Sequence, residues 1–196
     1  MSMAEIVQLN INQALKAVLT EDRQIYLDVV RGDDEVDAIY ADIEEICYRL
    51  LAQQQPVARD LRFLVSVLRI IVEVERAGDY ALNLAKVTKY NVSFGEFAKL
   101  TDTLTKMGEL SSDIFKKAVL AWKNQDIGAA ASLATGDDQL DEMYKDLIKE
   151  LLLIEKGYSL EVAINLVLAG RYLERIADHA VNISERVVYF IAGETV

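Results

Sequence analysis

Two stretches of this chain place carboxylates where a helix should carry apolar side chains. Glu75-Arg76-Ala77-Gly78-Asp79 and Glu174-Arg175-Ile176-Ala177-Asp178 share the pattern Glu-Arg-x-x-Asp. Matching tails follow them, Ala81-Leu82-Asn83 and Ala180-Val181-Asn182. Acids four residues apart lie on one helical face and repel each other, so burying such a pair calls for a cation. A divalent or trivalent metal ion is the first chemistry the pattern suggests. Oxygen donors favour magnesium, calcium, manganese or iron, whereas closed zinc sites prefer Cys and His.

Long helices must carry these acids. The chain has 196 residues, 52% hydrophobic and 27% charged, a globular balance. Its 1 Pro and 9 Gly leave little material for tight turns between strands. Displaced by 104 residues, the chain overlays itself: Asp22, Gly32, Asp33, Asp34, Asp37, Tyr40 and Asp42 fall on Asp126, Gly136, Asp137, Asp138, Asp141, Tyr144 and Asp146. A displacement of 99 superposes the two Glu-Arg-x-x-Asp motifs. The expected organisation is all-α, with two tandem and similar three-helix bundles at 1–92 and 93–196.

In the first copy the predicted helices span 4–30, 34–52 and 57–89, with breaks at Gly32-Asp33-Asp34 and at Gln53-Gln54-Gln55-Pro56. In the second they span 94–135, 138–156 and 160–191, with breaks at Gly136-Asp137 and Gly157-Tyr158-Ser159. Apolar stripes at helical spacing are Val36, Ile39, Ile43, Ile46 and Leu50, and Leu140, Met143, Leu147, Leu151 and Ile154. A third seam runs through Leu61, Leu64, Leu68 and Ile71, then reaches Glu75, Asp79 and Leu82. Acids in line with core positions are the kind of inconsistency that marks function.

Folding each second and third helix into an antiparallel hairpin brings the acids together. About Pro56, Asp37 faces Glu75 and Asp33 faces Asp79; about Gly157-Tyr158, Asp141 faces Glu174 and Asp137 faces Asp178. Each copy would hold four carboxylates, with Asp34 or Asp138 as a possible fifth. Plainer roles stand beside this one. Asp33, Asp34, Asp137 and Asp138 follow glycine at an expected helix start, where capping is ordinary. Glu75 and Asp79 could pair with Arg59, Arg62, Arg69 or Arg76 on the same helix. Asn83 and Asn182 could ligate or only hydrogen-bond; His179 is an optional ligand. Tyr40, Tyr144 and Trp122 read as packing residues.

Charge narrows the partners. A net charge of -11 argues against binding nucleic acid through its phosphates and against anionic lipid, leaving membranes reachable only through protein partners. Cys47 is the sole cysteine, which suits a reducing cytoplasm. No basic region followed by an apolar run opens the sequence, and 162–170, its most apolar stretch, is about half the length of a membrane span. Neither a nucleophile–base pair nor a phosphate-binding glycine loop is visible, so catalysis is not expected. A di-metal carboxylate enzyme is the competing reading; it lacks the Glu-x-x-His of di-iron bundles.

The two Glu-Arg-x-x-Asp motifs, the Asp-Asp-x-x-Asp runs and Gln55-Pro56-Val57-Ala58-Arg59-Asp60-Leu61-Arg62 resemble the PhoU family over nearly the whole chain. The resemblance implies a cytoplasmic negative regulator of phosphate uptake and phosphate-responsive signalling. Its implied partners are a second copy in a homodimer, a phosphate ABC transporter and a sensor histidine kinase. It also implies iron, zinc, manganese or magnesium at Asp37, Glu75 and Asp79 and at Asp141, Glu174 and Asp178. An accessory role for another phosphate carrier is a third reading, after the di-metal enzyme. Two departures stand out: the first helix is short, and the second copy has Gly157-Tyr158-Ser159-Leu160 where the first has its Gln-Pro element.

Overall fold

The computed structural model describes residues 1–90, 98–133, 138–153 and 159–193. All the regular structure among them is helical: α1 (Ser2–Thr20), α2 (Arg23–Gln54), α3 (Ala58–Lys86), α4 (Ala98–Asn124), α5 (Ile127–Leu133), α6 (Asp138–Leu153) and α7 (Leu160–Ala192). A single 3-10 turn, Val87–Tyr90, follows α3.

The internal repeat is written into the helix ends. Glu21 and Gln125, 104 residues apart, both adopt left-handed backbone, with φ of 56° and 51°. The next residue in each copy then caps a new helix. Asp22 accepts from the backbone N–H of Gln24 at 2.8 Å and of Ile25 at 3.3 Å; Asp126 accepts from that of Ala129 at 2.9 Å. The expected break at Gly32 is therefore wrong, and so is the capping role for Asp33 and Asp34, which lie inside α2. The predicted helix over 94–135 likewise breaks after Asn124, giving α4 and the short α5. The expected breaks at Gly136-Asp137 and Gly157-Tyr158 fall outside the described residues.

Gly32 serves packing instead. A Cβ there would stand 2.4 Å from Asn10 Oδ1 of α1, so the missing side chain lets the two helices approach. The helix passes through because its buried stripe keeps phase: Tyr26, Val29 and Val36 are buried, and Asp33 occupies the turn between them.

The distal half of α2 departs from the expected stripe. Ile46 is 47% and Leu50 38% exposed, as is Leu61 at 41% on α3, while Cys47 takes the buried position. The cause is length. With 19 residues α1 spans about 28 Å, against about 48 Å for the 32 residues of α2, so the far end of the hairpin extends beyond α1.

The halves do not keep separate interiors. One continuous apolar cluster draws on α1, α2, α3, α4, α6 and α7, from Val7 and Ile11 through Val74 and Ala77 to Leu104, Leu147 and Ile176. α3 and α7 run antiparallel through it, with Phe63 against Phe190 at one end and Tyr80 against Tyr172 further along. α1 meets α4 through Gln8 Nε2, which donates to Ser112 Oγ at 2.6 Å. Trp122 is half-buried beside this interior and stacks on Phe63, with ring centroids 5.8 Å apart.

Candidate acidic site and the seam between the repeats

In the first repeat the acids do assemble. Asp33 projects from the buried stripe of α2, near the position a Cβ on Gly78 of α3 would take (3.8 Å). Burial pushes its carboxyl up to about 6, with the charges of Asp37, Asp79 and Asp34 adding and Lys86 opposing. Glu75 is raised for the same reasons: burial first, then Asp79, against Arg76, with Asp37 and Asp33 contributing. Asp33, Asp37, Glu75 and Asp79 thus sense one another across the α2–α3 hairpin, in the register that equal distances from Pro56 require. Their ion pairs among the described residues are long ones: Arg76 stands 3.7 Å from Glu75 and 3.5 Å from Asp79. Asp34 and Asp37 are exposed at the edge of the group.

The second repeat is neutralised differently. Glu174, at 9% exposure, accepts from Arg171 one turn earlier on α7, and Asp178 accepts from Arg175 at 2.8 Å. Asp141 is half-buried on α6 and forms no hydrogen bond or ion pair among the described residues. Asp137 lies outside the described residues, and the side chain of Asp138 does too. The hairpin register still matches the first copy, because Tyr144 feels the charge of Glu174 as Tyr40 feels that of Glu75. The arginine at 171 makes the difference: its counterpart 99 residues earlier is Val72, which cannot pair with Glu75.

The donor sets therefore fit a metal unequally. Four mutually repelling carboxylates, with Asp33 and Glu75 both raised by burial and by their neighbours, would be relieved by a hard cation. Carboxylates already bonded to arginine would have to give up that partner first. As the side chains stand, no three Asp, Glu, His or Cys among the described residues converge into a finished metal cage.

The sequence reading missed Glu73. This half-buried acid on α3 accepts from His179 Nδ1 at 2.7 Å and from Asn182 Nδ2 at 3.0 Å, both on α7. Burial alone would raise its carboxyl, but the two hydrogen bonds and the charges of His179 and Arg186 outweigh it and leave the group below its ordinary 4.5. His179 also stacks on Tyr80, centroids 5.5 Å apart. His179 and Asn182 thus bind the two repeats to each other, while Asn83 accepts from Lys86 at 3.0 Å. The available signal was spacing: Glu73 and Tyr80 stand seven residues apart on one helical face, as do Tyr172 and His179 in the second copy.

Comparison with known proteins agrees with this architecture. The PhoU domain family matches residues 1–88 and 104–187. A phosphate-specific transport system accessory protein PhoU homolog of Caulobacter vibrioides is 31% identical over 98% of this chain and 84% of its own length. Among solved structures, PhoU from Pseudomonas aeruginosa superposes with a TM-score of 0.92 at 31% identity, covering 98% of this chain and 93% of the other. The phosphate transport system regulatory protein PhoU from Streptococcus pneumoniae gives 0.90 at 30% identity, over 100% and 92%.

Proposed function

The chain belongs to the PhoU family, and we propose from that premise that it is an accessory regulator of phosphate transport which represses uptake and phosphate-responsive signalling. The observation that carries this reading is the full-length likeness, in sequence and in fold, to proteins named for the phosphate-specific transport system. The protein works by contact rather than by turnover, in the cytoplasm and as a homodimer, against a phosphate ABC transporter and its sensor kinase. No helix among the described residues is long and apolar enough to cross a membrane, in keeping with an approach through protein partners. Exposed apolar side chains favour such contacts, and the end of the α2–α3 hairpin that extends beyond α1 offers Ile46, Leu50, Val57 and Leu61.

A metal ion belongs to the same proposal. Asp33, Asp37, Glu75 and Asp79 would hold it, neutralising the like charges that otherwise push α2 from α3. The arginine-paired acids of the second repeat are the weaker candidates. Tagged protein captured from phosphate-replete cells should bring down transporter or kinase components, and loss of the gene should raise phosphate uptake. Recovery of neither component, with uptake unchanged, would sink the proposal.

A further inference from the structure

The seam between α3 and α7 has two ends that the repeat should make alike, and they differ in charge. On one face of α3 stand Arg62, Ser66, Arg69 and Glu73, spaced at i, i+4, i+7 and i+11. Antiparallel packing sets this face against Asn182, Arg186 and Gly193 of α7. Asn182 bonds Glu73, and a Cβ on Gly193 would lie 3.8 Å from Arg62 Cζ. Ser66 and Arg69 of α3 and Arg186 of α7 fall between those two levels.

Donors collect here without acceptors. Arg62 Nε, Ser66 Oγ and Arg186 Nε are all buried and have no hydrogen-bond partner, and Ser66 is 0% exposed. None of Arg62, Arg69 and Arg186 forms an ion pair among the described residues. Other cations of this acidic chain sit on acids, as Lys106 on Asp102, Lys117 on Asp113 and Lys149 on Asp146, or on neutral acceptors, as Lys86 on Asn83. The fold itself does not demand the arrangement. At the other end of the seam the equivalent positions are Glu161, Asn165, Leu168 and Val87, lining a cavity with no arginine in it.

We infer that the arginine end of the α3–α7 seam binds a small tetrahedral oxyanion of the phosphate or sulfate class. The fork of a guanidinium matches two oxygens of such an ion, two forks approach it from opposite helices, and a buried hydroxyl supplies a further donor. Arg69, exposed, stands at the rim and draws the anion in. Arg59 is occupied elsewhere, donating to Gln125 Oε1 at 3.3 Å and lying over the Phe190 ring. Glu73, two turns from Ser66 and roughly 10 Å along the helix, accepts from His179 and Asn182; it feels the charge of Arg186 but forms no ion pair with it. The site uses the face of α3 opposite Glu75 and Asp79, so it is independent of the acidic cluster.

Calorimetric titration of inorganic phosphate into the full chain tests this, at low salt and after chelator treatment so that no metal can carry the anion. Saturable binding is expected, weakened by salt and competed by sulfate but not by chloride at equal ionic strength. Arg62→Gln and Arg186→Gln, which keep the aliphatic stems, should each weaken it about tenfold or more, while Glu75→Gln should not. O-Phosphoserine serves as a second titrant. Binding weaker than that of phosphate assigns the free ion, and binding as tight or tighter assigns a phosphomonoester. Absence of saturable binding by both titrants would overturn the inference, as would arginine variants that melt at lower temperature yet bind as before.

Discussion

Glu73 and His179, 106 residues apart in the chain, meet at 2.7 Å where α3 of the first repeat crosses α7 of the second. Asn182 closes the same carboxylate at 3.0 Å, so one acid holds the two halves together by two charge-assisted bonds in a half-buried setting. This polar lock sits amid aromatic contacts, with Tyr80 and Tyr172 on one side of it and Phe63 and Phe190 on the other.

Replacing Glu73 by Ala should lower stability by about 1–2 kcal/mol, since two donors lose their acceptor. The sign with pH follows from a lowered carboxyl: its contribution is present above 4.5 and is lost as pH falls through the folded value. Urea denaturation of both proteins should therefore show a gap near neutrality that narrows in acid. A constant gap would mean that the charge is not the source.

Asp33 acts in the opposite sense. Its carboxyl, raised from 3.8 to about 6, binds its proton more tightly in the folded state, so stability falls as pH rises between those values and stays lower above them. In metal-free protein, Asp33→Asn should be more stable than the wild type near pH 7 and lose that advantage near pH 4. A variant with no such pH-dependent advantage would show that the acids do not strain the hairpin.

Manganese should raise the melting temperature of the wild type, and Glu75→Gln combined with Asp79→Asn should remove most of that rise. The equivalent pair, Glu174→Gln with Asp178→Asn, should leave most of it, because Arg171 and Arg175 already neutralise those acids. Differential scanning fluorimetry decides between them. Equal losses from both pairs would contradict the unequal fit of the two repeats.

Gly32→Ala tests the close approach of α1 and α2. Helix propensity favours alanine by about 1 kcal/mol, but the new Cβ would press on the buried side chain of Asn10, at 2.4 Å from its Oδ1. Overpacking of this kind typically costs about 1–3 kcal/mol, so a net loss is expected. Adding Asn10→Ala should turn the glycine replacement from harmful to helpful, a coupling that a double-mutant cycle reads directly.

The sequence alone determined an all-helical, twice-repeated chain, because apolar periodicity and scarce Gly and Pro act locally and identically in both copies. It also placed Asp37 level with Glu75 and Asp33 level with Asp79, one turn apart, since those pairs lie at equal distances from the turn at Pro56. What it could not determine was whether Gly32 ends a helix or admits a neighbour: the same residue does either, and only Asn10 of α1 decides. Nor could it rank the two acidic clusters, since Arg171 neutralises Glu174 through a side-chain rotamer that spacing does not specify. Glu73, His179 and Asn182 gain their roles only when α3 and α7 pack. Contacts across the seam depend on how two helices are placed, and that placement is settled by burying one shared interior rather than by any local pattern.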